Sequence, residues 1–173
     1  MTIRPARPAD FAAMQEIEVE AGSMFAAIGM DSIAEDEPFT LDELAAYTAA
    51  DHAWVAVDDD DRPVGYLVAE LVDGRAHIEQ VSVRPSRARR GIGRRLVDHV
   101  ATWAAAEGLP ALTLTTFADV PWNAQLYERL GFRRLDEDEL SSGLRHLRDE
   151  EAARSLDRWP RVAMIRVVAP PAG

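Results

Sequence analysis

The stretch from His77 to Trp103, HIEQVSVRPSRARRGIGRRLVDHVATW, decides how the rest of the chain is read. Its opening residues alternate: β-branched Ile78, Val81 and Val83 interleave with polar side chains until Arg84-Pro85 closes the run, the pattern of a strand. From Ile92 the period lengthens, because Ile92, Leu96, Val100 and Trp103 recur at helical spacing. Between strand and helix lie small and cationic residues, Ser86 to Gly93. A strand that enters a helix through Gly91-Ile92-Gly93 leaves unpaired backbone N–H groups at the turn, and the helix dipole adds partial positive charge there. The stretch therefore predicts an anion site. Arg84, Arg87, Arg89, Arg90, Arg94 and Arg95 crowd into the same segment of a chain whose net charge is -11, so the local sign opposes the global one. A solvated basic loop is the plainer reading of such a run. The glycine pair favours the anion site, since glycine lets a backbone approach a phosphate closely.

Other phosphate-binding turns share this layout and fail on single residues. A dinucleotide fingerprint wants a third glycine where Leu96 stands and an acidic residue at the next strand end, near Thr115. A triphosphate loop wants Gly-Lys-Ser/Thr, and the chain contains no lysine. What stands there resembles motif A of the GNAT superfamily of acyl-CoA-dependent N-acyltransferases, Gln/Arg-x-x-Gly-x-Gly/Ala. Ala88 occupies the first position and the arginine sits one residue earlier, at Arg87. Downstream, NAQLYERLGF (123–132) resembles motif B of the same superfamily and is the more specific match. The resemblance is close over residues 64–135 and extends to the flanks in layout.

The resemblance implies an α/β (α+β) fold: a single GNAT-like domain over 1–173 with a mixed, mostly antiparallel sheet flanked by helices. Its central parallel βαβ pair would splay at the cofactor cleft. The cofactor core would be 64–135, and 22–40 with 136–159 would build the acceptor side. It further implies acetyl-CoA as cosubstrate, with its diphosphate held by the loop of Arg89, Arg90, Gly91, Ile92, Gly93 and Arg94. Val81, Ser82 and Val83 would offer main-chain partners to the pantetheine arm. Asn123 would touch that arm or only cap its helix, and Tyr127 would protonate the departing thiolate.

Composition bounds the alternatives. A chain of 173 residues with 47% hydrophobic side chains and no composition break suits one α/β domain. No apolar run approaches the ~20 residues that span a bilayer, and MTIRPARPAD lacks a signal peptide's apolar centre, so a cytoplasmic protein without a membrane partner is expected. The absence of cysteine excludes disulfides, thiolate metal sites and a cysteine nucleophile. The acidic balance argues against nucleic acid as a partner and suits a cationic substrate. His52, His99 and His146 show no ligand spacing, and the Asp58–Asp61 run lacks a calcium loop's glutamate, so no metal is expected.

In chain order, Thr2 to Arg4 predict a strand and Pro8-Ala9-Asp10 open a helix with Phe11, Met14, Ile17 and Ala21 as its apolar stripe. Periodicity is lost from Gly22 to Thr40, an acidic loop with apolar residues such as Met24 and Ile28. Thr40 and Glu43 form a capping box for a helix from Leu41 to Ala49. His52–Val57 and Pro63–Val72 read as a hairpin, and Asp73-Gly74 turns the chain into the central strand. Ala111–Phe117 is a strand parallel to 78–83. Asn123 reads as an N-cap for a short helix that Gly131 stops, and Trp54, Trp103 and Trp159 read as core. Leu140, Leu144, Leu147 and Ala152 suggest a helix, Arg161–Val168 a last strand, and Pro170–Gly173 a frayed end. The segment 136–159 reads as an excursion beside the active site or at a homodimer contact.

Acyl transfer to an amine needs a base, oxyanion donors and a proton for the leaving thiolate. Strand alternation puts His77, Glu79, Val81 and Val83 on one face, with both ionisable groups just upstream of the loop. Glu79 could serve as the base, with His77 its rival, and the resemblance, which implies a glutamate as base at either position, favours Glu79; an amide near Val83 would serve the oxyanion. The expected activity is acetyl transfer from acetyl-CoA to a primary amine of a small molecule, by direct attack in a ternary complex. A protein or peptide amine is the alternative acceptor. A non-catalytic acyl-CoA-binding regulatory module on the same fold is the alternative class.

Overall fold

In the computed structural model, which describes residues 1–168, seven strands form one mixed sheet. Its order is β1 (Thr2–Pro5), β2 (Ala53–Val57), β3 (Pro63–Val72), β4 (Arg75–Val83), β5 (Ala111–Phe117), β7 (Arg161–Val167) and β6 (Arg133–Arg134). The helices are α1 (Phe11–Gly22), α2 (Asp31–Ala34), α3 (Leu41–Ala49), α4 (Ile92–Ala106), α5 (Ala124–Arg129) and α6 (Ser142–Ala153). Pro170–Gly173, expected to fray, lie outside the described residues. No helix among the described residues is long and apolar enough to cross a membrane.

β4 and β5 are parallel, as the strand, helix, strand order demands. Their ladder pairs Ala76 with Leu112 and His77 with Thr113, at the start of β4 and ahead of the 78–83 segment from which pairing was expected. β5 by contrast is laddered to β7 along its whole length, from Ala111↔Val167 to Phe117↔Arg161. One edge of β5 therefore satisfies its backbone groups without β4.

The chain divides into two compact units. The first comprises Met1–Ala69 with Gln80–His99. Its core joins Phe11, Met14 and Ile17 of α1 to Leu44 of α3 and to Val55, Val57, Tyr66 and Val68 of β2 and β3. The helical stripe is thus the predicted one, except that Ala21 is only half-buried. α3 starts as its sequence dictates: Glu43 N–H donates to Thr40 Oγ1 at 3.2 Å and Thr40 N–H to Glu43 Oε2 at 2.8 Å. The aspartate run serves its turn, with Asp58 Oδ1 accepting from the amides of Asp60 (3.1 Å) and Arg62 (3.0 Å). Trp54 is buried, edge-on to His99.

Residues 22–40 hold more structure than a loop: a 3₁₀ turn over Ser23–Ile28 and the single turn of α2. Elements this short carry too few residues for a hydrophobic period to register in the sequence. Met30 is buried while Met24 and Ile28 stay exposed. The segment's end is tied to α1, where Gln15 Nε2 donates to Phe39 O (2.8 Å) and Phe39 N–H to Glu18 Oε2 (3.1 Å).

The second unit comprises Glu70–Glu79 with Val100–Gly173. α6 begins at the Ser141 cap, and Gly143 N–H donates to Asp73 Oδ2 at 2.8 Å, which fastens the helix to the β3–β4 turn. Leu144 packs with Leu135 and Ala163, and Leu140 and Leu147 join them. The expected ridge fails at its end: Ala152 is exposed and its neighbour Glu151 is buried. Glu151 takes Arg148 at 2.9 Å, Arg161, and the Thr115 hydroxyl at 2.5 Å, so hydrogen-bonded cations offset the cost of burying its charge. Trp103 and Trp159, expected in the core, are only half-buried, with Trp159 edge-on to Phe117. β7 ends at Val167, one residue before the expected end.

A Cβ at Gly143 would stand 2.6 Å from Asp73 Oδ2 and from Val72 Cγ1. Gly143→Ala is therefore expected to displace the Asp73 contact and cost about 1–3 kcal/mol, a drop of several degrees in thermal unfolding. Gly22→Ala, where an added Cβ meets nothing, is the control and should leave the melting temperature level or raise it.

Candidate active site

The loop between β4 and α4 belongs to the first unit. Arg84 leaves β4 with its amide on Val64 O (2.9 Å) and its guanidinium on Glu20 (2.5 Å) and Glu16 (3.3 Å). Arg87 reaches Asp58 at 3.7 Å, and Arg95 donates to Met1 O at 3.3 Å. Part of the arginine cluster is therefore committed to the protein's own oxygens. Arg89, Arg90 and Arg94 are exposed, and Arg90 shares with Arg87, Arg95, Asp58 and Asp59 a cavity of about 220 Å³.

The backbone here is shaped for donors. Arg89 and Gly91 are left-handed, at φ of 61° and 72°. An added Cβ at Gly91 would meet nothing, so the backbone angle is what requires glycine there. Among the described residues, the amides from Arg89 to Gly93 have no backbone acceptor outside the helix, whereas Arg95 N–H already bonds Gly91 O at 3.0 Å. Buried Ile92 and Leu96 anchor the helix start. On the same unit Ser82 is buried and accepts from Gln80 Nε2 at 2.8 Å, while Val81 and Val83 are half-buried.

Glu79 and His77 lie in the second unit and face the same way, as alternation predicted, with His77 Nε2 at 3.8 Å from Glu79 Oε1. Burial is the main cause that pushes the Glu79 carboxyl up, to about 8; a hydrogen bond to the Glu70 carboxyl and the charges of Glu70 and Glu151 add to it, and Arg154 opposes. The same burial pushes His77 down, to about 4, against the opposing charges of Glu70 and Glu151. His77 is 3% exposed and its Nδ1 is taken by Thr113 Oγ1 at 2.9 Å. Desolvation has thus inverted the usual order, making the carboxylate the stronger base of the two.

Tyr127 and Asn123 also lie in the second unit. Tyr127 is half-buried on α5, edge-on to Phe132 with ring centroids 5.7 Å apart, and burial pushes its hydroxyl pKa well above a free tyrosine's. It stays protonated, a proton donor, throughout the neutral range. Asn123 occupies the N-cap position, but only its carbonyl takes part, accepting Tyr127 N–H at 3.0 Å; the side-chain cap expected from the sequence is absent. Its backbone, at φ of -115° and ψ of -108°, lies outside the extended geometry of a capping residue. Gly131, at φ 93°, ends α5 as predicted.

Three neighbours of Glu79 and His77 escaped the sequence reading. Glu70 had a signal, since counting back from the Asp73-Gly74 turn sets it beside His77 on the adjacent strand. Thr113 and Glu151 had none, because each reaches the pair through tertiary packing. Among the described residues no group of His, Asp and Glu is placed to hold a metal ion.

The family model for the acetyltransferase (GNAT) family matches residues 13–132. Over 80 residues the chain is 34% identical to the peptidyl-lysine N-acetyltransferase YjaB of Salmonella typhimurium, covering 46% of this chain and 49% of that protein. It is 33% identical over 73 residues to the ribosomal protein bS18-alanine N-acetyltransferase of the same organism, covering 42% of this chain and 49% of that one. The chain thus spans about half the length of the curated relatives it matches. Among solved structures, Rv2747 from Mycobacterium tuberculosis, crystallised with CoA, superposes with a TM-score of 0.71 at 21% identity, over 98% of this chain and 100% of that one. The ribosomal-protein-S18-alanine N-acetyltransferase from Escherichia coli gives 0.67 at 18% identity, over 99% and 96%. Matched by the family's model over more than half its length, the chain belongs to the acetyltransferase (GNAT) family.

Proposed function

We propose that this protein transfers an acetyl group from acetyl-CoA to the primary amine of a cationic small molecule by direct attack in a ternary complex. The observation that carries the reading is Glu79, a desolvated carboxyl held well above the ordinary carboxylate range and therefore able to take a proton from an ammonium group. The glycine turn supports the cosubstrate: around left-handed Arg89 and Gly91, the amides from Arg89 to Gly93 have no backbone acceptor outside the helix among the described residues, which suits a diphosphate. Acetyl-CoA supplies the activated acetyl thioester.

The chain's residues do the rest. Amides from Arg89 to Gly93 hold the diphosphate, with the charge of Arg89, Arg90 and Arg94 around it. The main chain of Val81, Ser82 and Val83 orients the pantetheine arm, and an amide near Val83 receives the oxyanion. Asn123, its carboxamide not spent on a cap, contacts the same arm. Glu79 deprotonates the acceptor amine, and Tyr127, kept neutral by burial, gives its proton to the leaving thiolate. With no cysteine in the chain, a covalent acyl-cysteine route is closed.

A polypeptide amine is the second reading, favoured by the names of the two curated relatives, which modify peptidyl lysine and a ribosomal protein's alanine. The net charge of -11 suits a cation of either size. A panel of small primary amines and lysine- or alanine-bearing peptides, followed by CoA release, separates the two. CoA binding with no turnover on any of them would leave a non-catalytic module instead.

Glu79→Gln should lower kcat/KM by about 10²–10⁴ and leave CoA affinity unchanged by calorimetry. Wild-type kcat/KM should rise with pH through about 8 as Glu79 loses its proton, because only the carboxylate acts as base. Tyr127→Phe should lower kcat more than it raises KM. Gly91→Ala should weaken CoA binding roughly tenfold, since a side chain at φ 72° costs about 1–2 kcal/mol and reshapes the turn.

A further inference from the structure

Two histidine tautomers are open to His77, and its surroundings choose between them. Thr113 Oγ1 lies 2.9 Å from Nδ1, and Glu79 Oε1 lies 3.8 Å from Nε2. Both neighbours of the ring sit in the second unit, and the ring and Thr113 are almost wholly buried, at 3% and 1% exposure. If Nδ1 carried the proton, the bare Nε2 lone pair would face a carboxyl oxygen. The Thr113 hydroxyl proton would also lose its acceptor, since His77 is the hydrogen-bond partner of that hydroxyl among the described residues. With the proton on Nε2, the hydroxyl donates into Nδ1 and the ring N–H points at the carboxyl.

We propose that His77 is a positioning residue for Glu79, held by Thr113 as the Nε2–H tautomer so that its ring N–H supports the carboxylate form. This rests on the reading of Glu79 as the base. At 3.8 Å the contact is electrostatic rather than a hydrogen bond, and it strengthens as Glu79 gains charge. The other charged groups that act on the pair are Glu70 from β3, and Glu151 and Arg154 from α6 and its end; both glutamates disfavour a second negative charge at Glu79. The imidazole N–H is a neutral donor beside the carboxyl. It keeps Glu79 able to release its proton near neutral pH without bringing a cation into the site, because burial keeps the ring uncharged.

Long-range ¹H–¹⁵N spectra of the histidine rings and ¹³C titration of the Glu79 carboxyl test this without any substrate. The wild type should show the Nε2–H pattern for His77 at neutral pH. Thr113→Val, close to isosteric, should mix the tautomers and move the Glu79 titration up by about 0.5–1 pH unit, and Thr113→Ser should restore both. His77→Phe should give the same upward shift. An Nδ1–H pattern in the wild type overturns the proposal, as does an unmoved Glu79 titration in folded Thr113→Val. Should His77→Phe fail to fold, the Thr113 pair still decides. Full turnover in Glu79→Gln would sink the base reading alone, leaving the tautomer and titration results standing as a separate outcome.

Discussion

Desolvation of one carboxyl group on β4 is the constraint around which the second unit is arranged. The charges of Glu70 and Glu151 oppose that of Glu79, and Arg154 favours it. Such an arrangement costs stability at neutral pH, since the folded chain must hold a proton, or bury a charge, that the unfolded chain gives up to water freely. A fold retains it where the raised proton affinity has a use. The same loss of water acts with opposite sign on His77, two residues away, because burial penalises whichever form is charged. One cause therefore produces a basic carboxylate and a neutral imidazole side by side.

Charge elsewhere is managed by pairing. Glu151, buried on α6, is accommodated because Arg148, Arg161 and Thr115 fill its acceptor sites, and Arg148 extends the network to Asp157 at 3.1 Å. Removing one cation from such a network leaves an uncompensated charge, which is the expensive outcome. In the first unit, Arg84 and Arg87 leave the glycine turn for Glu16, Glu20 and Asp58. The basic run is thus less concentrated around the turn than its composition suggests.

The elements that present these groups are held by specific polar contacts more than by bulk. Asp73, in a left-handed turn between β3 and β4, receives Gly143 N–H near the start of α6, the helix that carries Glu151 in its last turn. Gln15 and Glu18 of α1 hold both backbone groups of Phe39, and the Tyr66 hydroxyl donates to the same Glu18 carboxylate at 2.7 Å. Burial pushes the Glu18 carboxyl up, the two hydrogen bonds it accepts pull it down, and the segment 22–40 ends on that anchor.

Much of this was legible without coordinates. The change of period at Ile92, the capping box at Thr40 and the breaks at Asp73-Gly74 and Gly131 are local instructions, written in residues a few positions apart, and each element stands where they put it. Alternation alone placed His77 and Glu79 on one face. What needed the folded chain was every property that depends on a neighbour distant in sequence. Glu151 is buried because Arg161 and Thr115 come to it, Asn123 forgoes its cap because its backbone turns aside, and Ala152, apolar and on the expected ridge, ends in water. The relative basicity of His77 and Glu79 belongs to the same class. Residue type gives the ordinary proton affinities, and only tertiary burial, acting in opposite directions on an acid and a base, reverses them.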